Sequence, residues 1–242
     1  MSRIAVLRPD DGRLERTAEL LESLGLEPVR DPMLAVEPTG DLPRTDADYV
    51  VLTSVTGADL IAAADWDARG QSVAAIGPRT AEALEDAGYV VDLVPETYSS
   101  TGLIEALSNA VAGCRVEVAR SDHGSEELLD GLDRLGAYHH ETVLYRLVRP
   151  SESGESAELA ASRALDGILF TSSLTVEHFL GAAADRGIRD GAVAGLADTV
   201  VGAIGSPTRA TAEANGIDVD VVPAEATAEA LVRAVDDTLS RA

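Results

Sequence analysis

Four short turns carry the residues best suited to holding an anion. They are Val51-Leu-Thr53-Ser54, Phe170-Thr171-Ser172-Ser173, Ala75-Ile-Gly77-Pro-Arg-Thr80 and Ala203-Ile-Gly205-Ser-Pro-Thr208. Each joins an aliphatic run to a helical pattern, so each sits at a helix start. Helix starts offer unpaired amides and the positive end of the dipole, which suit a carboxylate. The same Ser and Thr residues serve equally as plain N-caps. Arg8 and Arg120 end two further aliphatic runs, Arg3–Arg8 and Arg115–Arg120, and are candidate cations for the same anion. Nothing in the chain pairs a nucleophile with a base. Cys114 is the single cysteine, and a buried thiol is its default reading. His139 and His140 are adjacent in an extended segment and point to opposite faces, so they cannot share a metal. His123 lies in a loop and His178 in a helical pattern. A G-x-G-x-x-G or Walker loop is absent, so no nucleotide fingerprint is present. Tyr145 lies in an extended apolar segment, where it either packs or faces a cleft.

These turns belong to a repeat. Asp48-Tyr-Val-Val-Leu-Thr-Ser54 matches Asp166-Gly-Ile-Leu-Phe-Thr-Ser172. Val73–Thr80 matches Val201–Thr208, and Ala87–Pro95 matches Asn215–Pro223 at the same spacing. A weaker repeat relates Arg3–Arg8 to Arg115–Arg120, each followed by leucines at helical spacing and a terminal Gly25 or Gly136. The chain therefore reads small unit, large unit, small unit, large unit. One small and one large unit make five strands alternating with helices, the pattern of a parallel sheet. The expected fold is α/β, with two similar doubly wound parallel-sheet domains, flavodoxin-like halves, joined by a two-stranded linker. Domain 1 is expected at 1–36 plus 150–242, and domain 2 is inserted at 37–149. The linker strands fall at about 32–38 and 141–148, with a polar loop at 151–156. In such sheets, ligands bind at the strand carboxyl ends where strand order reverses, so Arg8 should border Thr171-Ser172 and Arg120 should border Thr53-Ser54.

Composition narrows the classes. The 242 residues are 45% hydrophobic, enough for a core, but only 3% aromatic, so Ala, Val, Leu and Ile must build it. Net charge is −23 and every basic residue is Arg. Such a chain repels nucleic acid and anionic membranes. The acid is spread along the chain, which reads as a solvated surface adapted to a salty cytoplasm, hence a halophilic protein. No apolar run approaches the ~20 residues that cross a bilayer. The N-terminal residues run straight into charge, so a secretory signal is not expected and a cytoplasmic location is.

Taken together, Leu7-Arg8-Pro9, Val51–Ser54, Ala75–Thr80, Val94–Leu103, Val143-Leu-Tyr145, Phe170–Ser173 and Ala203–Thr208 resemble the uroporphyrinogen-III synthase family over essentially the whole chain. The resemblance implies two α/β domains of the HemD type with an active site in the cleft between them, and no cofactor. It implies hydroxymethylbilane as substrate, closed with ring D inversion to uroporphyrinogen III and water, in tetrapyrrole biosynthesis (heme, siroheme or cobalamin). By the same resemblance Tyr145 is the catalytic phenol, donating to the leaving hydroxyl. The substrate carboxylates would be held at Thr53, Ser54, Gly77, Thr80, Ser99, Ser172, Ser173, Gly205 and Thr208, helped by Arg8 and Arg120. Val222–Thr227 departs from Val94–Ser99, so the two halves need not bind alike. A monomer is expected, with room for a transient contact with the enzyme that supplies the substrate. The competing class is a non-catalytic two-domain hinge-type binding protein for a small anionic ligand.

Overall fold

The computed structural model describes residues 1–241. In chain order the elements are β1 (Arg3–Leu7), α1 (Gly12–Ser23), β2 (Glu27–Arg30), β3 (Ala35–Pro38), β4 (Tyr49–Leu52), α2 (Val55–Ala63), β5 (Ser72–Ala75), α3 (Pro78–Asp86), α4 (Ser100–Leu107) and β6 (Arg115–Ser121). They continue with α5 (Glu126–Arg134), β7 (Tyr138–Val148), α6 (Glu155–Ala161), β8 (Gly167–Phe170), α7 (Ser173–Asp185), α8 (Arg189–Gly195), β9 (Val200–Ala203), α9 (Ser206–Ala214) and α10 (Ala228–Leu239). They form two compact units, Met1–Ala35 with Val148–Ala242, and Val36–Leu147.

The first unit holds a sheet of order β2-β1-β8-β9. The second holds β3-β7-β6-β4-β5. The pairs among β1, β2, β8 and β9, and among β4, β5, β6 and β7, are all parallel. The order places β1 beside β8 and β6 beside β4, which is the reversal point of a flavodoxin-like sheet. The expected fifth strand of each unit shrinks to a single bridge, Ala74 to Leu93 and Gly202 to Val221. The reason is local. The Asp92 and Asp220 carboxylates accept the Val73 and Val201 N–H groups at 2.9 and 2.7 Å, replacing a ladder carbonyl. Pro95 and Pro223 follow shortly after and have no N–H to extend the ladder.

Helices cover both faces of each sheet, so the strands are buried on both sides and read as unbroken aliphatic runs. Ile4–Leu7 and Val50–Leu52 have no exposed surface. In the first unit Ala5, Leu7, Ile168 and Phe170 pack against α6, α7 and α8, while Ile4, Val6 and Leu169 pack against α1 and α10. In the second, Val50, Leu52 and Ala119 share a layer with Ala58, Ile61 and Leu84 of α2 and α3; Val51, Val116 and Val118 share the other with Leu103, Leu107, Leu128 and Leu132. Each fully buried aliphatic side chain contributes about 1.5–3 kcal/mol relative to exposure. Only two phenylalanines occur, and Phe170 and Phe179 meet edge to face at 5.6 Å. Among the described residues, no helix is long and apolar enough to cross a membrane.

Candidate functional site

At the carboxyl ends of β4 and β6, four of the expected residues line one cavity of about 260 Å³: Thr53, Ser54, Arg120 and Tyr145. Ile76, Ser100, Ser121, His123, Gly124, Ser125 and Leu128 complete its wall. A larger cavity of about 610 Å³ lies beside Trp66 and Asp92, at the opposite end of β5. It lies away from every helix start, and we place the site at the strand carboxyl ends for that reason.

Ser54 caps α2, its Oγ accepting the Gly57 N–H at 3.0 Å. The Tyr145 phenol donates to the same oxygen at 3.1 Å. Tyr145 is 6% exposed and packed with Leu52, Ala58 and Ala119, so its ring is fixed by the core while its oxygen reaches the cavity wall. A slip in the β6–β7 register between Arg120 and Ser121 pairs Ser121 with Tyr145 and turns the end of β7. The hydroxyl pair can run in either direction. When Ser54 donates to Tyr145, the phenol proton is free for a ligand.

Arg120 is 2% exposed, and its donors are engaged. Nε donates to Glu141 at 2.6 Å, Nη1 to the Ser125 carbonyl at 2.5 Å and Nη2 to Glu126 at 3.3 Å. Gly124 makes room for it, since a Cβ there would lie 2.3 Å from Arg120 Cδ. Arg120 thus ties β7 to the start of α5 and shapes the loop that carries Asp122 and His123, rather than presenting a free guanidinium. His123, in the loop after β6, is part of the cavity wall. Its Nδ1 meets Asp122 Oδ1 at 2.8 Å, and Asp122 also accepts the Leu147 N–H at 3.0 Å. Burial pushes the Asp122 carboxyl up, but those two hydrogen bonds outweigh it and hold it below the usual carboxylate range. A signal for this corner existed in Ser125-Glu126-Glu127 ahead of Leu128, a helix-start pattern whose Ser125 Oγ accepts the Glu127 N–H.

The remaining expected residues divide by exposure. Gly77 and Gly205 cap α3 and α9 with no side-chain hydrogen bond, and Pro78 and Pro207 remove one N–H from each first turn; Tyr98 lies against Gly77. Ser99 caps α4 through the Gly102 N–H at 3.1 Å. Ser172 caps α7 in a reciprocal box with Thr175, and Ser173 opens that helix. Thr80 and Thr208, by contrast, are 4% and 3% exposed, on the buried side of α3 and α9. Cys114 is half-buried rather than buried. Arg8 follows β1 beside Thr171, whose hydroxyl donates to Leu7 O at 2.7 Å, but its guanidinium turns to α1 and donates to Thr17 Oγ1 at 3.2 Å.

Fold and site define a two-unit, doubly wound α/β protein with helix starts and a phenol–hydroxyl pair at the strand carboxyl ends. The chain matches the family described as uroporphyrinogen-III synthase HemD over residues 15–233 and belongs to that family. It is 31% identical to a putative uroporphyrinogen-III synthase of Methanothermobacter thermautotrophicus, covering 96% of each chain. It is 27% identical to the uroporphyrinogen-III synthase of Synechococcus elongatus, covering 69% of this chain and 70% of that one. Its fold matches the Thermus thermophilus and Helicobacter pylori uroporphyrinogen III synthase structures, each with a TM-score of 0.67 over 100% of both chains, at 18% and 14% identity. The family consists of lyases of tetrapyrrole biosynthesis, and this chain is one of them.

Proposed function

We propose that this chain closes hydroxymethylbilane to uroporphyrinogen III, with the proton for the departing hydroxyl supplied at Tyr145. The observation that carries this reading is the buried Tyr145–Ser54 hydrogen bond on the wall of the strand-end cavity. The substrate loses its hydroxyl as water when the C–O bond breaks, leaving an electron-poor azafulvene. A protonated leaving group departs far more readily than hydroxide, so a positioned phenol lowers that barrier. Ser54 holds the phenol oxygen, and its link to Gly57 N–H places the pair at the positive end of α2. No protein nucleophile is required. The rest of the catalysis is positioning, in which the helix starts at Ser54, Gly77 and Ser99 hold substrate carboxylates; Ser172, Ser173 and Gly205 belong to the equivalent helix starts of the first unit. Thr53 supplies a further hydroxyl to the cavity wall. A monomeric, cytoplasmic, salt-adapted enzyme is consistent with the charge of −23.

The test is to incubate the protein with freshly made hydroxymethylbilane in concentrated KCl, oxidise the products and separate the isomers. The type III isomer is expected. Only the type I isomer, which forms spontaneously, would sink the assignment.

A further inference from the structure

The two units treat their equivalent strand-end arginines in opposite ways. By the registers that set Arg3 opposite Glu27 and Arg115 opposite Tyr138, Arg8 corresponds to Arg120 and Arg30 to Glu141. By their N-caps, Asp11 and Ser125, the residues Gly12 and Arg13 correspond to Glu126 and Glu127. The two carboxylates that neutralise Arg120 are therefore a glycine and an arginine around Arg8. The consequence is visible in the contacts. Arg8 enters no ion pair among the described residues; its Nε is buried with no partner, and Nη1 meets only Thr17 Oγ1. Thr17 spends its own proton on Arg13 O at 2.8 Å, so it faces Arg8 as an acceptor.

Around this guanidinium lies a cavity of about 590 Å³. Arg13, Arg16 and Thr17 line it with Arg8. Arg13 is engaged with Asp11 at 2.5 Å, while Arg16 has no ion-pair partner among the described residues. Glu19 and Glu229 also line the cavity, and Glu229 is taken by Arg233 at 2.9 Å. Other arginines, Arg79 and Arg146 among them, are also outside the ion pairs of the described residues, but Arg8 differs from them in having a buried Nε with no hydrogen-bond partner. We propose that Arg8, Arg13, Arg16 and Thr17 form an anion site in the first unit that takes a carboxylate side chain of the substrate. That occupant rests on the proposed activity; the anion site itself rests on the geometry. Burial of Arg8, with Arg13 and Arg16 beside it, lowers the Arg8 pKa against the smaller opposing pull of Asp11, and a bound anion offsets that penalty. The planar fork of Arg8 suits a carboxylate held through Nε and a terminal nitrogen.

The experiment compares the native chain with Arg8→Gln/Arg16→Gln and with Arg30→Glu. The last variant leaves every cavity side chain in place and supplies the acid that Arg120 has in the second unit, while breaking the exposed Arg30 pairs with Glu15 and Glu22. Unfolding midpoints establish that each variant folds. Two probes are titrated at fixed KCl, uroporphyrin III as a stable octacarboxylate and inorganic phosphate, and KM and kcat are measured for hydroxymethylbilane. Porphyrin affinity is expected to fall about ten- to a hundredfold in the double variant and in Arg30→Glu, as for loss of charged hydrogen bonds. KM should rise in parallel and change more than kcat. Type III product from all three proteins, with unchanged KM and porphyrin affinity, overturns the site while leaving the activity standing. Phosphate affinity that falls while porphyrin affinity holds overturns the carboxylate assignment in favour of a free phosphate. Type I product alone from the native chain defeats the activity reading, and the porphyrin titration then decides the site by itself.

Discussion

Tyr145 is the residue on which the chemical reading turns. Removing its hydroxyl leaves the ring packed against Leu52 and Ala58, and Ser54 keeps its cap to Gly57. Tyr145→Phe should therefore cost only about 1 kcal/mol of stability, the net worth of one hydrogen bond. Type III formation should slow about a hundredfold, the lower end of the range for a positioned general acid. Full turnover in that variant, followed by isomer analysis over time, would remove Tyr145 from the mechanism. The residue was visible in the sequence as a tyrosine in an apolar extended segment, but its partner was not, because Ser54 lies far away along the chain. The same limit explains Arg120. Its position at a strand end was readable, whereas its neutralisation by Glu141 depends on which strand lies next to β6. Thr80 and Thr208 show a different limit. Each ends a turn motif in the sequence, while Thr80, Ala81 and Leu84 also show the spacing of a buried helix face.

At the level of elements, the repeat seen as matching letters recurs as matching hydrogen bonds. Asp48 and Asp166 precede equivalent strands, and each accepts the first N–H of its neighbour, Arg115 or Arg3, at 2.7 Å. Asp92 and Asp220 repeat the same correspondence at the sheet edge. These contacts are readable in retrospect, since all four aspartates fall within the matched segments. Asp31 has no such signature. It is 2% exposed and accepts the Gly154 N–H at 2.8 Å, the Ser156 N–H at 2.8 Å and the Ser156 hydroxyl at 2.5 Å. It caps α6 from a distant segment, because Gly154 has no side chain to cap its own helix. Asp31→Ala strands two buried amides and a hydroxyl, and should destabilise the protein by about 2–4 kcal/mol. Denaturant titration of the purified variant measures this. A loss below about 0.5 kcal/mol, within the scatter of surface substitutions, would show that water replaces the carboxylate.

For the whole molecule, charge decides the conditions under which the rest operates. Acids outnumber basic residues so far that most cannot be paired, and pairs such as Arg44–Asp46 and Arg163–Asp198 are exposed at both ends. Exposed pairs are worth about 0–1 kcal/mol each, so they do not offset the summed repulsion. Salt does. The Debye length falls from about 30 Å at 0.01 M to about 3 Å at 1 M. The unfolding temperature should therefore climb steeply with KCl over that range, and a midpoint in dilute buffer equal to that in concentrated KCl would contradict the reading. Binding sharpens the test, because two electrostatic effects compete. The substrate is a polyanion, and an arginine cluster ordinarily loses affinity for anions as salt rises. Here the attraction at Arg8 acts at contact distance from a half-buried guanidinium, where salt screens little, while the exposed Arg16 is screened more. The repulsion from a net charge of −23 acts over tens of ångströms, and about 1 M salt removes nearly all of it. Affinity for the octacarboxylate probe should thus rise with salt, through a faster association rate, in the native chain. In Arg8→Gln/Arg16→Gln the same rise should persist from a lower starting affinity, since the long-range field is almost unchanged. An affinity that instead falls steadily with KCl would mean that local attraction, not global repulsion, governs recognition.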